Sequence, residues 1–119
     1  IVIDNLRFLL SHGSPWDANL YIYPNKFKNY INEFNKYKYN FFLLFNTHIP
    51  MKKRIKNNIV INPGSVGQPR DGDDLAKWAI IDTKTKKIFF KKTNFNSNSL
   101  VKKIKKYDPQ NKKLMKYYL

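Results

Sequence analysis

His12 and His48 are the only imidazoles in the 119-residue chain, and each directly follows a short apolar run. Neutral imidazole is a favoured ligand for Zn, Mn, Fe and Ni, and a strand end holds it at fixed geometry. A lone histidine beside a strand is more often a satisfied structural residue. Two of two in equivalent positions shift the balance toward ligation. Two imidazoles cannot saturate a metal, so further ligands have to come from elsewhere. The chain has no cysteine, which excludes thiolate metal sites and a disulfide framework.

A second group with chemical potential is the loop from Asn62 to Gly72. Gly64, Gly67 and Gly72 permit backbone conformations closed to other residues, while Pro63 and Pro69 stiffen it. The loop either braces the strands beneath a site or brings Arg70 to a substrate phosphate. The basic residues are overwhelmingly Lys, so an Arg here suggests that a planar, bidentate donor is needed. That donor could instead hold Asp71, Asp73 or another carboxylate. Asp17 reads as a turn residue rather than a partner for an imidazole. Trp16, Tyr21 and Tyr23 read as packing against a helix rather than stacking on a base.

The elements that must position these residues follow from periodicity. Arg7 to Leu10 is a strand running into Ser11-His12-Gly13-Ser14-Pro15. Between Lys26 and Tyr37, Phe27, Tyr30, Ile31 and Phe34 take the spacing of one helical face, with Pro24-Asn25 as a start signal. Phe41 to Phe45 reads as a buried strand, Ile59 to Ile61 as another, and Lys77 to Asp82 and Lys87 to Lys92 as two more. Ser99 is expected to cap a helix with Leu100, Val101 and Ile104 inward; Asp108-Pro109 breaks it before a last helical stretch to Leu119. Three loops each follow a strand and hold polar residues a simple turn would not need. Ligand sites in α/β sheets lie on such loops.

Hydrophobic residues make up 42% of the chain and aromatics 16%, too apolar for a disordered tail. The formal charge is +15, a value that can attract nucleic acid or anionic lipid. The Lys, Asn, Ile, Tyr and Phe excess reads instead as a compositional skew, and no nucleic-acid motif is present. No apolar run approaches the ~20 residues that cross a bilayer. The start of the chain does not read as a secretory signal, and a cytoplasmic location is expected. Beginning on Ile1 rather than Met, the chain is expected to be cut from something longer.

Leu10-Ser11-His12-Gly13-Ser14-Pro15, Thr47-His48-Ile49-Pro50, and the stretch from Ile61 through Asn62-Pro63-Gly64-Ser65-Val66-Gly67-Gln68-Pro69-Arg70-Asp71-Gly72 to Asp73 resemble, in order, three blocks of the calcineurin-like metallophosphoesterases. The likeness runs from about residue 8 through Ala79-Ile80-Ile81-Asp82. It implies an α/β (α+β) fold, part of a four-layer α-β-β-α sandwich, with this chain as its C-terminal half. Residues 1–93 would be that half and residues 94–119 a helical tail.

The resemblance also implies two divalent metals roughly 3.5–4 Å apart, with manganese favoured over iron, nickel or zinc, and a metal-activated hydroxide acting on a phosphoester such as a nucleotide. His12 would bind one metal and His48 the other. The family's Asp-x-His, Gly-Asp and Gly-Asn-His blocks would lie in an N-terminal half supplied in cis or in trans, so these residues alone are expected to be inactive. The family normally has Gly-His-Thr-His where this chain has Phe45-Asn46-Thr47-His48. Asn46 would then be a weak ligand of the His12 metal, and Phe45 would crowd the backbone. That replacement keeps open an inactive, protein-binding scaffold of the same fold. Nucleic acid is expected only as a substrate.

Overall fold

The computed structural model describes residues 1–94, 96–116 and 118. Its centre is made by the apolar runs seen in the sequence. They form β2 (Leu6–Ser11), β3 (Phe41–Leu44) and β5 (Asn58–Asn62), which pair in parallel in that order. The two-residue strand β1 (Val2–Ile3) lies antiparallel along β2. On the other side β4 (Met51–Ile55) makes a hairpin with β5, giving the five-stranded order β1-β2-β3-β5-β4.

Strands in the middle of such a sheet are covered on both faces, which is why they are continuously apolar. Alternate residues go to opposite sides. Phe42, Leu44 and Val60 join Ile22, Phe27, Phe34, Met51 and Ile55 in one buried cluster. Phe41, Ile59 and Ile61 join Leu6 and Phe8 in another. Burying each of these large side chains is worth roughly 1.5–3 kcal/mol relative to exposure. On the first face sits the 26–37 segment. On the second lies a separate antiparallel ribbon of β6 (Ala76–Ile81) and β7 (Ile88–Thr93), whose Ile81 and Ile88 pack against the second cluster. The layering is helical segment, sheet, ribbon.

The helical segment is shorter than its pattern predicts. A 3-10 turn at Phe27–Tyr30 leads into a single turn of helix, α1 (Ile31–Phe34). The face was read correctly, because Phe27 and Phe34 are buried and Tyr30 and Ile31 pack beside them. Length fails because Asn29, Tyr30, Ile31 and Asn32 are weak helix formers and neither Pro24-Asn25 nor Lys26 supplies a side-chain cap. Trp16 packs on this segment, edge-on to Phe34 at 5.1 Å between ring centres, whereas Tyr21 and Tyr23 stack on each other.

Strand β4 is an addition to the sequence reading. Its Lys52-Lys53-Arg54 looks like a solvated loop, yet Met51 and Ile55 are buried at its two ends. In the tail, α2 (Ser97–Tyr107) buries Val101 and Ile104 as expected. Its cap is Asn96, whose side chain accepts the Asn98 N–H; Ser99 lies inside the helix and donates to Asn96 O. The last helix is α3 (Lys112–Lys116), and the expected continuation to Leu119 lies in part outside the described residues. Among the described residues no helix is long and apolar enough to cross a membrane.

Candidate functional site

Because β2, β3 and β5 are parallel, their C-terminal ends fall on one edge of the sheet. His12 follows β2, Asn46 and His48 follow β3, and the 62–73 loop follows β5. The loops that carry the chemistry-bearing residues therefore start side by side. They are also tied together directly. The carbonyl of His12 accepts the N–H groups of Phe45 (3.1 Å) and Asn46 (2.8 Å). Asn62, buried at 1% exposure, donates to Thr47 Oγ1 and accepts the Gly64 N–H, both at 2.9 Å.

His48 is held on several sides. Its backbone has φ of +58°, a left-handed conformation that costs a non-glycine residue energy. Nδ1 lies 2.9 Å from Gln68 O. A carbonyl can only accept, so in the neutral ring Nδ1 carries the proton and Nε2 is left with its lone pair. That is the form in which a histidine ligates a cation, with the second nitrogen fixed by a backbone carbonyl. A longer contact of 3.4 Å runs from Arg70 N to His48 O.

His12 is different. Its side chain is exposed and makes no hydrogen bond among the described residues; only its carbonyl is used. Asn46 is buried at 3% exposure, and its Nδ2 donates to Leu20 O at 2.9 Å. That bond occupies the amide nitrogen, so the amide oxygen is the side-chain atom left that could serve a hard cation. The three donors thus fit divalent cations in type: two imidazoles and an amide oxygen. All three are neutral, and no group of three or more His, Asp or Glu residues that could hold a metal is found among the described residues.

Arg70 is exposed at the same edge. It does not hold Asp71 or Asp73, the alternative weighed from sequence, because Lys77 takes both, at 2.9 and 3.6 Å. Asp73 is also bound by Lys92 at 3.2 Å. The Leu75 N–H is the largest influence on the Asp73 carboxyl; desolvation, next in size, opposes it, and with Lys92 and Lys77 added the net result is a carboxyl held below its usual range. Asp17 is a turn residue, its carboxylate accepting the Asn19 N–H.

Of the loop glycines, Gly64 and Gly72 take positive φ, the latter +83° in open space, and Gly64 is the one that is also crowded. It has φ of +92°, and a Cβ there would sit 2.8 Å from Lys77 Cβ and 3.1 Å from Pro50. Gly67 faces open space at ordinary φ, so the freedom expected of it is not used. Thr47, Asn62, Gln68 and Lys77 were not singled out from sequence. Asn62, first residue of an Asn-Pro-Gly turn, was the one with a signal, since Asn side chains bond backbone two residues on.

The sequence profile of the calcineurin-like phosphoesterase superfamily domain matches residues 1–86. The chain belongs to this superfamily. An uncharacterised protein of Methanocaldococcus jannaschii is 28% identical over 119 aligned positions, covering 87% of this chain and 48% of the relative. Among solved structures, a metallophosphoesterase from Sphaerobacter thermophilus superposes with TM-score 0.83 at 21% identity, over 98% of this chain and 55% of that one. A hypothetical protein of Pyrococcus horikoshii OT3 gives TM-score 0.80 at 19% identity, over 98% of this chain and 47% of that one. The chain therefore has the calcineurin-like phosphoesterase fold and spans about half the length of the relatives it matches.

Proposed function

We propose that this chain supplies one half of the site of a two-metal phosphoesterase, the remaining ligands coming from a segment in cis or in trans. His48 and His12 are the imidazole ligands of two different cations, Asn46 Oδ1 is a weak donor to the His12 cation, and Arg70 faces the substrate phosphate. The observation that carries this reading is His48: its Nδ1 is committed to Gln68 O, leaving Nε2 free on the edge that also carries His12.

Held by His12, His48 and Asn46, divalent cations, with manganese the first choice, would supply the positive charge that water activation and phosphoryl polarisation need. The protein's own part is binding and orientation. His48 Nδ1–H keeps the ring in one tautomer. The β2–β3 register and the two bonds to His12 O set the spacing of the histidine loops. Arg70 offers a planar pair of donors to two phosphate oxygens. Its lack of a carboxylate partner among the described residues leaves it available.

The half-site reading gains support from the donor set: no group of three or more His, Asp or Glu residues able to hold a metal is found among the described residues, and neutral donors alone do not offset the charge of two divalent cations. The substrate class is a phosphomonoester or phosphodiester, with nucleotides as first candidates. The segment after about residue 94 is a helical appendage rather than part of the site.

The test is metal content and hydrolysis of an aryl phosphodiester with added Mn2+, using the native protein at its natural length. Turnover that His48→Ala removes is expected. No turnover, or turnover indifferent to His48→Ala, overturns the reading. The second reading, a scaffold without catalysis, is favoured by the bond from Asn46 to Leu20 O, which gives Asn46 a structural occupation. Asn46→His separates the two: tighter Mn2+ binding supports a weakened enzyme, and no Mn2+ binding in either form supports the scaffold.

A further inference from the structure

Lys77 is the one buried lysine among the described residues, with its side chain 7% exposed. Its Nζ meets four acceptors: Asp71 Oδ1 and Asp73 O at 2.9 Å, Leu75 O at 3.2 Å and Asp73 Oδ1 at 3.6 Å. Its backbone N–H bonds Ser65 O at 2.9 Å, and its stem packs over Gly64 beside Pro50. One residue of β6 thus grips the start of the loop through its main chain and the end through its ammonium. Between these grips, Gln68 O fixes the His48 ring and Arg70 N reaches the His48 carbonyl. Gln68 is itself pinned, its N–H bonding Ser65 Oγ at 2.9 Å.

A buried ammonium has a high desolvation cost unless it is fully partnered, so its place here demands the loop in this one arrangement. We propose that Lys77 is a positioning residue for His48. The clasp from Lys77 to Ser65, Asp71, Asp73 and Leu75 holds the 65–71 loop so that Gln68 O selects the Nδ1–H tautomer and leaves Nε2 as the ligand. Its consequence for metal rests on the half-site reading; the ring orientation does not.

The test uses the native-length protein freed of metal, above the imidazole titration range. Long-range 1H–15N NMR reads which nitrogen of each histidine carries the proton. The native protein shows His48 with Nδ1–H. Lys77→Met and Asp71→Asn shift His48 toward a mixture of tautomers while His12 stays unchanged, and both weaken Mn2+ binding by about 10–100-fold, the range typical of groups that orient a ligand. Lys77→Arg, which keeps stem and charge, retains the native His48 signal. An unchanged His48 tautomer in both Lys77→Met and Asp71→Asn overturns the proposal. If Lys77→Met fails to fold, Asp71→Asn decides, because it leaves Lys77 its carbonyl acceptors; an unchanged His48 there overturns it too. A shifted tautomer with no Mn2+ binding in any form, native included, upholds the clasp and removes the metal reading.

Discussion

His12 and His48 follow equivalent parallel strands, yet their surroundings differ. His48 has a left-handed backbone, a ring fixed by Gln68 O and a loop clasped by Lys77. His12 contributes its carbonyl to the loop after β3 and leaves its ring in solvent. The chain fixes the His48 ring by itself and leaves the His12 ring without a hydrogen-bond partner among the described residues. Preorganisation depends on which loop folds back over the residue: the 62–73 loop returns across His48, whereas the 12–20 loop turns on itself through Ser14 and Asp17.

The largest expected effect tests that asymmetry directly. His48→Ala should lower Mn2+ affinity of the native-length protein by more than about 100-fold, beyond the range typical of a supporting residue. On the proposed reading His12→Ala should do less, because the cation assigned to it would already have a poor second donor in Asn46. Isothermal titration with Mn2+ compares them, and equal losses would erase the distinction.

Next in size is Asn62→Ala. It strands the buried Gly64 N–H and removes the partner of Thr47 Oγ1. Leaving a buried donor unpaired costs about 1–3 kcal/mol, which urea unfolding should register. Similar in size is the contrast between glycines of one loop. Gly64→Ala should cost about 1–3 kcal/mol through strain and crowding against Lys77, and Gly67→Ala should stay within about 0.5 kcal/mol. Comparable melting of the two variants would contradict the conformations described.

The mildest effect is of pH. The carboxyl of Asp73 is lowered in the folded protein, first by the Leu75 N–H and then by Lys92 and Lys77. A depressed pKa contributes stability that is complete above the ordinary value of 3.8 and is lost as pH falls through the lower folded one. Acid unfolding of Asp73→Asn should therefore depend less on pH below about 4 than that of the native chain.

Much of this architecture was legible in the residues. The runs at Phe41 and Ile59 are apolar on both faces because they lie mid-sheet, so their strands and loops could be placed directly. Strand β4 was hidden because an edge strand needs only its two end residues, Met51 and Ile55, buried. The helix at 27–34 was overdrawn because spacing records the buried face and not the stamina of Asn and Tyr in a helix. At the site, His12, Asn46, His48 and Arg70 stood out as residue types with obvious chemistry. Lys77 did not, since one lysine in a chain with 23 basic residues carries no signal until its burial is seen. Gln68 acts through its carbonyl, which every residue possesses.

The charged run on β4 has a consequence for how copies of the protein meet. An outermost strand offers unpaired N–H and C=O groups to any passing chain, the usual start of intermolecular sheet growth. Lys52, Lys53 and Arg54 make that rim strongly cationic, so a second copy arriving edge to edge meets its own charge. Salt screens such repulsion. The repulsion along this rim therefore weakens as ionic strength rises.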